Sequence, residues 1–77
     1  MDVIVKLFAS LAETEGWRQK PCRLSDGATV REAWAVATGR HDMPARVLCA
    51  VNLDYRELST PLQSGDEIAF FPPVTGG

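Results

Sequence analysis

Thr29 to Gly39 is the stretch that most limits what this chain can fold into. Val30, Ala33, Trp34 and Ala37 fall at i, i+3, i+4 and i+7, which draws one apolar stripe along a helix. Thr29 suits the N-cap, and Glu32 follows at the spacing of a capping box. Gly39 ends the run just after Thr38. A helix this short is marginal alone, so its stripe must be covered by another element. Trp34 is large enough to be the main plug at that contact.

The cover is a sheet. Residues 2–8 alternate Val3, Val5 and Leu7 with Ile4, Lys6 and Phe8, the period of a strand with one apolar and one mixed face. Trp17 to Leu24 is again extended, and Pro21 predicts an edge position for it. Arg46 to Val51 is a continuous apolar run, as in an interior strand. Asn52 to Tyr55 reads as a turn, with Asn52 and Asp54 tolerating left-handed backbone, and a brief strand follows over Tyr55 to Glu57. Ile68 to Phe71 is the last strand, entered through the turn Ser64-Gly65-Asp66-Glu67. Between these lie a two-turn helix and a surface wrap. The helix starts at Ser10, with Glu13 at capping-box spacing, is held by Leu11 and stops at Gly16; the wrap is anchored by Leu58 and Leu62.

That order predicts an α+β fold of the β-grasp type: a mixed sheet of four to five strands, one main helix across one face, and the first and last strands as parallel central neighbours. The predicted domain covers residues 1–71. Residues 72–77, Pro-Pro-Val-Thr-Gly-Gly, form an exposed, flexible diglycine tail. Pro72 and Pro73 cannot donate to a sheet ladder, so the chain leaves the strand stiffly. Gly76 and Gly77 have no side chains, and such an end fits a channel in which any Cβ would clash. Strand alternation turns one of Phe70 and Phe71 to the core and the other outward; burial of both is the alternative. An outward phenylalanine beside the tail is a partner anchor, and Leu53 or Tyr55 is placed to extend the same patch.

Composition excludes several functions. A chain of 77 residues is one domain with one small core. A net charge of −2, with Lys and Arg scattered from Lys6 to Arg56, lacks the basic footprint of a nucleic-acid binder. No apolar run is long enough for a membrane span, and the first residues already read as strand, so a cytoplasmic protein is expected. Cys22 and Cys49 each sit in an apolar strand-like run, which reads as two buried free thiols, with a bridge between them as the alternative. His41 stands in a polar loop with no second ligand near it, so no metal site is expected. Asp66 and Glu67 are adjacent and point apart, unlike an acid–base pair. No glycine-rich phosphate loop is present, so the chain itself is expected to hold no cofactor.

Three stretches carry a resemblance to a known family. Phe8-Ala9-Ser10-Leu11-Ala12-Glu13 resembles a Phe-Ala-x-Leu-Arg-Glu pattern, with Ala12 in place of the arginine. Val51-Asn52 resembles a Val-Asn pair after the third strand. Leu62-x-x-Gly65-Asp66-Glu67 through Pro72-Pro73-Val74-Thr75-Gly76-Gly77 resembles its closing motif almost residue for residue. The family is the small, sulfur-carrying subunit of molybdopterin synthase, a ubiquitin-like group.

The resemblance implies a non-catalytic carrier that acts only with a large synthase subunit. A ubiquitin-activating-type adenylyltransferase uses ATP to adenylate the Gly77 carboxylate. A sulfur donor system then converts it to a thiocarboxylate, whose sulfur goes to a pyranopterin precursor. Gly76 threads the channel, while Phe71, Pro72, Pro73, Val74 and Thr75 meet the partner. Alternatives that share the fold and the diglycine are a carrier for thiamin thiazole or tRNA thiolation, and a ubiquitin-like modifier or interaction module.

Overall fold

The structure, a computed structural model, describes residues 1–73. The expected roles of Val74, Thr75, Gly76 and Gly77 lie outside the described residues. In chain order the elements are β1 (Asp2–Leu7), α1 (Ser10–Glu15), β2 (Gln19–Arg23), α2 (Val30–Thr38), β3 (Leu48–Val51), β4 (Asp54–Tyr55) and β5 (Glu67–Phe71). The five strands form one sheet in the order β2-β1-β5-β3-β4. β1 and β5 are parallel, with Val5 opposite Ile68 and Leu7 opposite Phe70. All other pairs are antiparallel. This is the β-grasp arrangement, and β5, which leads into the tail, is the central strand.

Strand alternation and the stripe on α2 make the core. Val3, Val5, Leu7, Ile68 and Phe70 face Val30, Ala33, Trp34 and Ala37, and all nine are buried. Trp34 meets Phe70 edge to face, with ring centroids 5.1 Å apart. Its indole Nε1 donates to the Asp42 carbonyl at 3.0 Å, so the polar end of the plug is satisfied. The capping box at Thr29 and Glu32 forms in both directions, and Gly39 closes α2 with φ 75°. The wrap between β4 and β5 bonds to the start of α2 through Val30 N to Thr60 O and Leu62 N to Ala28 O. Leu62 is buried beneath it.

β2 is the edge strand that Pro21 predicted. Leu7 N donates to Arg18 O and Leu24 N to Met1 O. By alternation, Lys20 and Cys22 bond inward to β1 while Gln19, Pro21 and Arg23 turn their backbone groups outward. The proline thus removes a donor from the open edge and blunts it against pairing with another chain.

Three local expectations are corrected. Ser10 does not cap α1: Ala9 is the N-cap, at φ 52° and ψ −130°, and no side chain caps the helix. The cause is the end of β1. Phe8 N still bonds to Phe70 O, so the chain must reverse within Ala9, and Ser10 is already inside the helix. The third strand starts at Leu48 because Arg46 is left-handed, at φ 64°. The fourth strand is Asp54–Tyr55, one residue early, because Asn52 and Leu53, at φ 51° and 74°, make a two-residue turn. Leu53, not Asp54, takes the left-handed place.

Candidate functional site

The sheet face away from α2 is only partly polar. At its far end Asp2 pairs with Arg23 and Lys6 with Glu67, so charges cancel locally. The guanidinium of Arg23, hydrogen-bonded to Asp2, holds that carboxyl below its usual range. At the end where β5 runs out, the face is apolar. Register puts Leu48 beside Phe71, and Ala50 beside both Ala69 and Tyr55. Phe71 is the hub: its ring meets Phe8 at 5.8 Å and Tyr55 at 5.9 Å, both edge to face. Phe8, Leu48 and Tyr55 are exposed and Phe71 is half-buried.

The Phe70/Phe71 ambiguity is therefore resolved by one strand position. Phe70 is fully buried under Trp34, and Phe71 lies on the opposite face. Its neighbours Pro72 and Pro73 follow the end of β5 and border a groove that also takes in Leu11, Trp34, Met43 and Val47. Phe71 does not line that groove.

Phe8 and Leu48 were not expected in the patch. The signal for Phe8 was its place on the mixed face of β1, two positions after Lys6. Leu48 was hidden inside an apolar run that reads as buried throughout; only the register with Phe71 turns it outward. Tyr55 joins the patch through its contact with Phe71. Leu53, at the turn, is 89% exposed, the most exposed large apolar residue described.

No competing chemical site appears among the described residues. No group of His, Cys, Asp and Glu is arranged to hold a metal. Cys22 and Cys49 are buried and unbridged. Burial pushes both thiols up, opposed at Cys22 by Lys20. Cys49 Sγ is further occupied by the Arg56 carbonyl, at 2.9 Å. His41 is exposed in its loop. Among the described residues no helix is long and apolar enough to cross a membrane.

Comparison with known proteins agrees with this geometry. The model of the ThiS family matches residues 5–77. The molybdopterin synthase sulfur carrier subunit of Escherichia coli is 44% identical over 72 residues, 94% of this chain and 76% of that protein. Small archaeal modifier protein 1 of Haloferax volcanii is 34% identical over 84 residues, 94% of this chain and 97% of that protein. A crystal structure of SAMP1 from the same organism superposes with a TM-score of 0.86 at 30% identity, covering 100% of both chains. A chain in the complex of subunits 1 and 2 of the Helicobacter pylori molybdopterin-converting factor gives 0.66 at 25% identity, also over 100% of both. Fold, closing motif and family match converge: the chain belongs to the ThiS family of ubiquitin-like β-grasp sulfur carriers.

Proposed function

We propose that this chain carries sulfur as a C-terminal thiocarboxylate on Gly77 and delivers it in molybdopterin synthesis. The observation that carries the reading is the closing stretch. The central strand ends at Phe71 on an exposed apolar corner, and Pro72-Pro73-Val74-Thr75-Gly76-Gly77 follows directly. The similarity to the Escherichia coli carrier subunit supports it.

The chemistry needs no side chain of the carrier. A carboxylate is a poor electrophile, because its charge is delocalised and its leaving group would be oxide. In the activating enzyme a Gly77 oxygen attacks the α-phosphorus of ATP and pyrophosphate leaves. A sulfide-level nucleophile from the donor system then forms a C–S bond to the carbonyl carbon, AMP leaves, and a thiocarboxylate results. In the large synthase subunit the thiocarboxylate sulfur forms a C–S bond to a carbon of the pyranopterin precursor as the C–O bond at that carbon breaks and its oxygen leaves. Water cleaves the acyl C–S bond and restores the carboxylate. Gly76 and Gly77 keep Cβ atoms out of both channels. The carrier's own contribution is to be recognised twice and to place one atom.

The apolar corner is the recognition surface. Phe8, Tyr55 and Phe71 make a contiguous aromatic cluster of the kind that anchors interface cores. The partner for this corner is the large synthase subunit, with Pro72, Pro73, Val74 and Thr75 continuing the contact along the tail.

A second reading has a specific observation in its favour. The chain is also similar, over nearly its whole length, to small archaeal modifier protein 1. In that case the activated Gly77 joins lysines of other proteins. Reconstitution separates the two. Thiocarboxylated chain, large subunit and precursor yield molybdopterin under the carrier reading. Isopeptide-linked conjugates in the source cells, lost when Gly77 is deleted, with no molybdopterin formed in vitro, support the modifier instead.

A further inference from the structure

A chain with an activated C-terminus carries a hazard of its own. Any amine within reach can attack the acyl adenylate: the nitrogen lone pair forms a C–N bond to the Gly77 carbonyl carbon, AMP leaves with the C–O pair, and the nitrogen releases a proton to water. The result is a dead amide, either a ring closed on the same chain or a link to a second copy.

We propose that this chain withholds its own amines from its activated terminus, so that the acyl group passes to sulfur or to another protein and not to itself. The inference rests on the proposed activation of Gly77. Its first support is composition. Lys6 and Lys20 are the only lysines; the other six basic side chains are arginines, at 18, 23, 31, 40, 46 and 56. A guanidinium stays protonated in proteins and has no lone pair for acyl attack.

The second support is the placement of the three amines. The amino group of Met1 is part-buried: it donates to the Leu24 carbonyl at 2.7 Å and lies 3.7 Å from Asp26. Lys20 lies on the α2 side of the sheet, opposite the face that carries Phe71. Its Nζ donates to the Ala37 carbonyl at 3.0 Å and sits 4.4 Å over the Trp17 ring.

Lys6 is the amine on the tail's side of the sheet, with its side chain 32% exposed. It stands on the same face as Phe71, opposite Ala69, only two positions before the end of β5. The residues after Phe71 are long enough, at up to roughly 20 Å extended, to return to it. Its Nζ is paired with Glu67 Oε1 at 3.1 Å. Glu67 is opposite Ile4, so the pair draws the ammonium back along the strands, away from the corner where the tail leaves. Glu67 is thus a guard on the amine that shares the face of Phe71.

The test uses the full chain with a ubiquitin-activating-type enzyme and ATP but no sulfur donor, read by intact mass. Hydroxylamine added to one sample traps the acyl adenylate as a hydroxamate and reports activation alone. The expected wild-type result is hydroxamate formation without either a chain about 18 Da lighter or a linked dimer. Glu67→Gln releases Lys6, and a product acylated at that residue, absent from the wild type, appears. Arg31→Lys, which adds an amine at an exposed position on α2, gives a dimer linked there. Wild-type chain that self-links as readily as R31K overturns the inference, and so does E67Q that behaves as wild type. Absence of dimer even from R31K overturns it as well, because the amines are then irrelevant. Failure to form any hydroxamate removes the activation itself, and with it the proposed function.

Discussion

Asn52 and Asp66 tie the β3–β4 turn to the start of the central strand: Asn52 Nδ2 donates to Asp66 Oδ1 at 2.9 Å. The same asparagine accepts from Glu67 N through Oδ1, at 3.0 Å, and Asp66 accepts from Gln63 N through Oδ2, at 2.8 Å. Two short polar stretches far apart in sequence, Val51-Asn52 and Gly65-Asp66, are therefore one structural device. It sets where β5 begins, and so fixes the register that carries Phe71 to its corner. Asn52→Gly keeps the left-handed backbone and deletes both side-chain bonds. Its expected cost is about 1 kcal/mol, and Asn52→Ala, which adds backbone strain, costs about 2 kcal/mol. Urea denaturation of the two variants checks the order.

Leu53 and Ala9 also have positive φ, without such compensation. Leu53 is at φ 74° with its side chain almost wholly in solvent. Ala9 is at φ 52° and ψ −130°, a conformation that suits glycine. Leu53→Gly and Ala9→Gly each relieve strain and are expected to stabilise the chain by about 0.5–1 kcal/mol, after the added entropy of glycine in the unfolded state. Thermal melts of the single variants, rising by a few degrees, are the readout.

Phe70 and Phe71 are adjacent and do opposite things. Phe70→Ala opens a cavity under Trp34 and is expected to cost about 3–5 kcal/mol, enough to unfold much of so small a domain. Phe71→Ala leaves the core intact and is expected to change stability by about 1 kcal/mol or less. Under the proposed carrier function it is expected to weaken binding of the large synthase subunit by about 2 kcal/mol, roughly thirtyfold. Calorimetric titration and a melt on the same samples separate the two effects.

The buried thiols give a pH prediction with a definite sign. Burial raises the pKa of Cys22 and Cys49 above the ordinary value of a free thiol. A raised acid pKa means the folded state favours the neutral thiol. The stabilisation is complete below the unfolded pKa and is lost as pH rises through the folded one, on the alkaline side of 9.0. Native chain is therefore expected to resist iodoacetamide at neutral pH and to be alkylated at both positions once denatured. Rapid alkylation of the native chain contradicts the assignment of these cysteines to the core.

Much of this was legible because the signals were local and periodic. The stripe of α2 and the capping box at Thr29 need only residues within a turn or two of each other. Pro21 announced its own edge. Ser10 misled because its spacing to Glu13 is right, while the cap position is set by where β1 lets go of β5, a non-local fact. Leu48 misled for a related reason. An apolar residue in an apolar run reads as buried, and only the pairing of β3 with β5 turns this one outward. The tail motif was legible as a motif. The aromatic corner beside it was legible only in part: Tyr55 was placed beside an outward phenylalanine, while Phe8 and Leu48 join them only through the sheet.

The most direct measurement is the site of sulfur. The chain is incubated with its activating enzyme, ATP and a sulfur donor, then cleaved and read by mass spectrometry. The carrier mechanism predicts a gain of about 16 Da on the peptide that ends at Gly77, with the peptides of Cys22 and Cys49 unchanged. A gain on either cysteine peptide, with the Gly77 peptide unchanged, contradicts it.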